Sequence, residues 1–146
     1  MTSVEGLIST EPRLRIEELF VALLEVDPAL ADLDIVAGSD RDALVAPLHC
    51  FVLCREANPV LQVGQNYRAA VSIVIANNID DGTHAQRKEW TKRVLARLTL
   101  SDPGVAGVED DARLLGWGIE KISEVSAGQN IGDRIDLWVA AHVAAA

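Results

Sequence analysis

The most reactive side chains in this sequence belong to two cysteines and three histidines. Cys50 and Cys54 lie in LHCFVLC next to His49, whereas His84 and His142 are far away along the chain. A Cys–His pair could provide a nucleophile, and a cluster of both residue types could bind zinc. No close pair such as CxxC or HxxxH is present, and a thiol in an apolar strand lacks the positive surroundings that lower its pKa. We therefore expect no catalytic residues, no metal site, and buried, reduced cysteines.

Motifs that bind nucleotides are also missing from the sequence. Neither GxxxxGK[ST] nor GxGxxG follows a predicted strand, so we expect no phosphate-binding loop and no cofactor. Acidic pairs occur at 80–81 and 110–111, in predicted turns that also contain glycines. Capping and solubility explain these pairs, because acidic side chains in turns bond to the nearby backbone. The sequence predicts a protein that is not an enzyme.

Length and charge limit the class of protein further. The chain has 146 residues and a formal net charge of −9. This length suits a single α+β domain over residues 1–146, with 1–10 as a flexible N-terminus. Apolar runs end before the ~18 residues that a membrane span needs, so we expect no membrane partner. The net charge opposes general nucleic-acid binding, and the N-terminal residues do not resemble a secretory signal, which favours folding in the cytoplasm.

Hydrophobic spacing predicts the elements that would position any site. Thr10 can cap a first helix that ends near Asp27, and a second helix is predicted over residues 84–98. Turn residues predict a mobile loop at Gly38–Asp42. Strands are predicted over Asp34–Ala37, Pro47–Glu56, Tyr67–Asn77, Arg113–Val125 and a last segment through Val143, with the fourth one bulged at its glycines and paired to the fifth. Strand pairs separated by a helix predict a mostly antiparallel β-sheet with two main α-helices packed on it.

The second predicted helix concentrates positive charge in an otherwise acidic protein. Residues 83–99 hold five of the thirteen Lys and Arg residues and a single acid. Lys88, Lys92, Arg93 and Arg97 fall opposite the apolar stripe, whereas Arg87 projects close to it and must extend to solvent or find a partner. This segregation favours a contact with an acidic surface, although a solvated helix face explains it equally well.

Trp138 is a further interface candidate because it lies among polar residues. It shares the less apolar face of the last strand with Arg134, Asp136 and His142. Either a helix of the same chain or a neighbouring subunit must cover it, and large aromatics are favoured interface anchors. We therefore predict that Trp138 and the five basic residues of the helix contact another subunit or a partner.

The layout of the chain from Pro12 to Val143 resembles that of the tail terminator (tail completion) proteins of tailed bacteriophages. Two segments carry the resemblance: the strand, turn and basic helix of VSIVIANNIDDGTHAQRKEWTKRVLARL, and the closing aromatic strand RIDLWVAAHV. The resemblance implies a structural virion protein, assembled in the host cytoplasm, that forms a six-membered homo-oligomeric ring. This ring would cap the tail tube and join it to head-connector proteins. The family has no catalytic residues to transfer.

A rotationally symmetric ring uses heterologous contacts, so the basic residues of one copy would face acidic residues of the next. The acid-rich segments Gly38–Asp42 and Val105–Asp111 would line a lumen through which DNA passes without binding, because like charges repel phosphate. Two alternatives remain. One is a small cytoplasmic ligand-binding or regulatory domain that holds a small molecule between Trp117, Trp138 and the helices. The other is an enzyme that uses Cys50 or His49.

Overall fold

A computed structural model describes residues 11–38, 48–60, 63–78, 84–100, 112–127 and 130–144 of the chain. The elements in chain order are helix α1 (Pro12–Glu25), a 3-10 turn (Pro28–Leu30), β1 (Asp34–Ala37), β2 (Leu48–Val60), β3 (Val63–Asn78), α2 (His84–Leu100), β4 (Ala112–Ala127) and β5 (Asn130–Val143). Each predicted helix and strand is present, and β2 to β5 extend beyond their predicted bounds. The expected flexible segment 1–10, the loops at 39–42 and 105–111, and the acidic pair at 80–81 lie outside the described residues.

Helix α1 begins with a different cap from the one predicted. Thr10 is outside the described residues, and Glu11 is the N-cap residue. The Glu11 carboxylate accepts a hydrogen bond from the backbone N–H of Leu14 at 2.9 Å, and Pro12 occupies the first turn, where its missing N–H costs nothing. The backbone leaves the α1 helix at Val26, before a 3-10 turn that Asp27 caps.

The five strands form one mixed sheet in the order β1-β2-β3-β5-β4. The predicted mostly antiparallel sheet is therefore wrong: β1 runs parallel to β2, with Asp34 opposite His49, and strand dominates this α+β fold. The pairs β2–β3, β3–β5 and β5–β4 are antiparallel. The prediction failed because parallel neighbours need a crossover connection, and it treated the start of that connection, Gly38–Asp42, only as a surface loop.

Both helices pack on the same face of the sheet. One buried cluster contains Ile16, Leu19 and Phe20 of α1, Trp90, Val94 and Leu98 of α2, and the alternate residues Cys50, Val52, Val71, Ile73, Ile75, Ile135, Leu137 and Val139 of the strands. Burying one large aliphatic or aromatic side chain contributes about 1.5–3 kcal/mol, so this cluster is what holds the helices on the sheet. We call the opposite side of the sheet the outer face.

Two strands contain bulges that matter for the site. In β4 the register shifts between Leu114 and Gly116 and again between Ile119 and Lys121, as its glycines predicted. In β2 the register shifts between Cys54 and Glu56. There the buried carboxylate of Glu17, on α1, accepts the backbone N–H of Cys54 at 2.8 Å. Burial raises the pKa of Glu17, and the N–H groups of Cys54 and Gly38 offset this only in part.

Candidate assembly surfaces

Arg87 does not belong to an exposed basic face, because its side chain is only 1% exposed. Its guanidinium bonds to the Asn77 amide oxygen at 3.2 Å and to the Glu124 carboxylate at 3.0 Å, and its Nε lies 3.5 Å from Asp133. Arg87 thus ties the first turns of α2 to β3, β4 and β5. Of the two outcomes predicted for Arg87, extension to solvent or a partner, the structure shows the second.

Asp133 is the acidic centre of the same cluster. It is 2% exposed and accepts bonds from Lys88 Nζ at 3.0 Å and Thr91 Oγ1 at 2.8 Å. Burial alone would raise the pKa of this carboxyl, but the bonds from Thr91 and Lys88 and the charge of Arg87 bring it below its ordinary value. Asp133 is therefore ionised at neutral pH and neutralises part of the basic helix from within the chain.

Arg93 and Arg97 also reach back to their own chain. Arg97 Nε donates to the carbonyl of Leu23 at 3.0 Å, at the C-terminal end of α1, where a positive charge is favourable. The Arg93 guanidinium lies 4.7 Å from the ring centroid of Trp90, and Arg93 also pairs with Glu89 at 3.3 Å. Arg93 Nη1 also donates to the carbonyl of Ala29 in the 3-10 turn at 3.4 Å. Arg93 and Arg97 therefore lie towards the 3-10 turn and α1, and the Arg93 side chain keeps 41% exposure.

The remaining basic residues of α2 face the β4 side. Lys92 is exposed, and it forms no ion pair with the part of the chain that the structure describes. Lys88 is half exposed even while it binds Asp133. The positive charge of α2 is thus divided between two sides of the helix, and Lys88 and Lys92 are its exposed cations on the β4 side. Whether they contact a second molecule stays a prediction.

Trp138 lies on the outer face, away from both helices. It pairs with Ala70 on β3 and Gly118 on β4, and its side chain is 46% exposed. The indole covers Gly118: a Cβ at that position would come within 2.7 Å of the ring atom Cε2. Because Gly118 has no side chain, the indole of Trp138 can pack directly against it. Neither helix covers Trp138, so the first of the two predicted alternatives, cover by a helix of the same chain, is wrong.

A polar cluster borders Trp138 on the outer face. Asp136 accepts bonds from Ser72 Oγ at 2.7 Å and Arg134 Nε at 2.8 Å, with Arg55 at 3.8 Å. Burial opposes ionisation of Asp136, but the bonds from Arg134 and Ser72 lower its pKa below the ordinary value. An exposed tryptophan beside arginines held by an acid has the composition of a binding hot spot.

The two cysteines lie on the helix side of β2, and both are buried and free. Burial raises the pKa of Cys50 and of Cys54 to about 12, and the nearby Glu17 charge adds to the shift at Cys54. His49 packs against Phe51 with ring centroids 5.0 Å apart, on the outer face. The enzyme hypothesis based on Cys50 or His49 therefore has a nucleophile that stays protonated and a histidine on the opposite side of the sheet.

Trp117 and Trp138 also lie on opposite sides of the sheet. Trp117 packs edge-on against Phe20 and donates from its indole nitrogen to the carbonyl of Leu98 at 3.1 Å. It is thus engaged with both helices, whereas Trp138 faces away from them. The two tryptophans cannot hold one small molecule together, so the ligand-binding alternative loses the site that the sequence suggested.

β4, an edge strand of the described sheet, has exposed apolar side chains that its sequence did not indicate. Leu115, Ile119 and Ile122 are 41%, 40% and 52% exposed. A groove of about 410 Å³ runs between this strand and α2, with Leu95 and Ile122 among its lining residues. Regular alternation of apolar and polar residues along a strand predicts that the apolar side chains are buried. The exposure arises because β4 is at the sheet edge and bulged, which is a property of topology rather than of local sequence.

Similarity to known proteins does not identify a function for this chain. No protein-family model and no characterised protein matches this sequence. Among the described residues, no three His, Cys, Asp or Glu side chains form a group that could hold a metal ion. Neither α1 nor α2 is long and apolar enough to cross a membrane.

Proposed function

We propose that this chain is a structural subunit that assembles with copies of itself and with other proteins, in the manner of a phage tail terminator. In this proposal it forms a ring in the virion that closes the tail tube and joins it to the head connector, and DNA meets it only in the lumen. It performs no reaction.

The observation that supports this proposal best is the exposure of Trp138. Fully burying a large aromatic side chain contributes about 1.5–3 kcal/mol, and Trp138, which is 46% exposed, forgoes part of that free energy. The cost is offset when a partner covers the ring, and the neighbouring Arg55, Arg134 and Asp136 supply the polar rim that such interfaces have. Three apolar side chains on the edge strand β4 add a second exposed surface.

The surfaces that we assign to contacts differ from the basic face of α2 that the sequence first indicated. Arg87 is buried among groups of its own chain, and Arg97 bonds to the carbonyl of Leu23. Arg93 pairs with Glu89 and stays partly exposed, so the basic residues of α2 do not form one continuous exposed surface. We assign the contact with tube or head proteins to the outer face around Trp138. Contacts between copies are assigned to the sides of the sheet.

Electron microscopy of the purified chain with tail tubes tests the proposal directly. We expect rings on tube ends, and self-association in sedimentation velocity that increases with concentration. Trp138→Ala should stay folded but lose attachment to tubes by tenfold or more, because truncating a hot-spot tryptophan costs about 2 kcal/mol of binding free energy. Val26→Ala is the matched control, since Val26 is 68% exposed and directly follows α1, which packs on the other face of the sheet.

Failure would be clear in two ways. A chain that stays monomeric at high concentration and low salt, and shows no rings when tail tubes are present, is not a tail terminator. Undiminished attachment by Trp138→Ala would remove the outer face from the proposal.

A further inference from the structure

The two edge strands of the described sheet, β1 and β4, each border a groove beside a helix. The groove at β4 lies against α2, and a second groove of about 290 Å³ lies between β1 and α1. Both helices occupy the same face of the sheet, so the two grooves lie in the same layer of the molecule. Edge strands also present backbone N–H and C=O groups that another strand can pair with.

The groove at β4 has a positive rim. Lys88 and Lys92 lie along α2, and the apolar floor contains Leu95 and Ile122. The acids that also line this groove are already occupied: Asp133 binds Lys88, and Glu124 binds Arg87. An incoming acidic group would therefore meet Lys92 first.

The groove at β1 has a negative rim and a similar floor. Glu18 and Glu25 lie along α1, and Val21, Ile35 and Val36 supply apolar surface. Glu18 pairs with Arg15 at 3.1 Å, whereas Glu25 is exposed and forms no ion pair within the described part of the chain. Asp34, the first residue of β1, is exposed as well.

We infer that the β1 edge of one copy docks against the β4 edge of a second copy, so that Glu25 and Asp34 meet Lys92 and Lys88. This inference rests on the proposed function and names the interface that joins neighbours. The occupant is a second copy because the two edges of one chain have opposite charge, similar apolar floors and helices in the same layer. A contact between two different patches is heterologous, and it closes into a ring when the rotation between copies permits.

Because β1 is short, ion pairs and apolar contacts must help to hold the two edges together. A strand of four residues offers only a few backbone hydrogen bonds across the edge. Val36 and the exposed Ile119 and Ile122 would be covered by the neighbour. The helix-flanked grooves would then form a continuous layer from one copy to the next.

Charge reversal on each edge tests this interface in the full chain. Lys92→Glu and Glu25→Lys should each raise the dissociation constant of self-association about five- to tenfold, as loss of an exposed ion pair and its replacement by repulsion predict. Asp34→Lys should act like Glu25→Lys. Arg68→Glu, an exposed reversal on the outer face, is the matched control and should leave self-association unchanged.

An equimolar mixture of Lys92→Glu and Glu25→Lys provides the decisive measurement. Both kinds of contact in an alternating assembly would again pair opposite charges, so the mixture should associate nearly as well as the unmodified chain. Unchanged association of the single variants, or a mixture no better than its components, overturns the inference while leaving the proposed function intact. An effect of Lys92→Glu on binding another protein, but not on self-association, overturns it as well. An unmodified chain that neither self-associates nor forms rings with tubes instead refutes the proposed function.

Discussion

Replacing Arg87 by methionine should remove the polar contacts that this side chain makes between α2 and three strands. Methionine fills much of the same volume without a charge, so packing changes little while the electrostatic contacts disappear. Arg87 is 1% exposed and contacts Asn77 at 3.2 Å, Glu124 at 3.0 Å and Asp133 at 3.5 Å. The effect therefore reports on the buried cluster rather than on solvent-exposed charge.

The size of the effect follows from what remains around Asp133. Removing one partner of a buried ion pair costs about 3–5 kcal/mol because the other charge stays buried. Lys88 and Thr91 still bind Asp133, so the loss should lie near the lower end, about 3 kcal/mol. A domain of ordinary stability has only about 5–15 kcal/mol in total, so this is a large fraction.

Urea denaturation at neutral pH measures the loss, and a double-mutant cycle assigns it. Asp133→Asn should destabilise the unmodified chain more than it destabilises Arg87→Met, because the second background has already lost part of the charge balance. Lys92→Met, an exposed change on the same helix, is the control and should cost less than about 0.5 kcal/mol. A loss below about 1 kcal/mol for Arg87→Met, where a broken buried pair should cost several, would refute the reasoning.

Two further predictions concern buried groups on the helix side of the sheet. The raised pKa of Glu17 means that folding favours its protonated form, so its contribution to stability is largest below the unfolded value of 4.5 and is lost as the pH rises through the folded value. The stability of the unmodified chain relative to Glu17→Gln, from urea titrations at several pH values, should thus rise as the pH falls from 7 towards 4.5; a constant difference would contradict this. Cys50, with a pKa of about 12 in place of 9.0, should have a roughly thousandfold smaller thiolate fraction at pH 8 than an ordinary thiol and react with a disulfide reagent only after unfolding, so complete labelling of the native chain within seconds would disagree.

The positions of the elements were predictable because the signals for them are local. The spacing of Ile16, Leu19, Phe20 and Leu23 defines one face of α1 without reference to any other segment. The same holds for β1, where the predicted bounds Asp34–Ala37 match those observed. The glycines of β4 marked its irregular pairing for the same reason.

Sheet order was not predictable from those signals. Whether β1 runs parallel or antiparallel to β2 depends on the path of the chain between them, and hydrophobic alternation is the same in both cases. The sequence correctly predicted the antiparallel pairs β2–β3 and β4–β5. It did not indicate which strand β1 would pair with.

The arginines of α2 show why the positively charged surface of this helix was only partly predictable. Helical periodicity places Arg93 and Arg97 opposite the apolar stripe, but a long side chain can return to a carbonyl on another element. Leu23, which accepts from Arg97, lies 74 residues away along the chain. Glu124, which pairs with Arg87, lies 37 residues away. Only the packing of α2 beside α1 and β4 brings these groups together.

Local charge, rather than net charge, decides whether copies of this chain attract. A formal charge of −9 makes two copies repel at long range. At physiological salt, however, charges farther apart than about 8 Å are largely screened, so a contact is governed by the groups that it brings close. Buried pairing of Arg87 with Glu124 and Asp133 leaves Lys92 as a cation near the β4 edge, while Glu25 remains an anion near the β1 edge. Opposite edges can thus attract although the two molecules carry the same net charge.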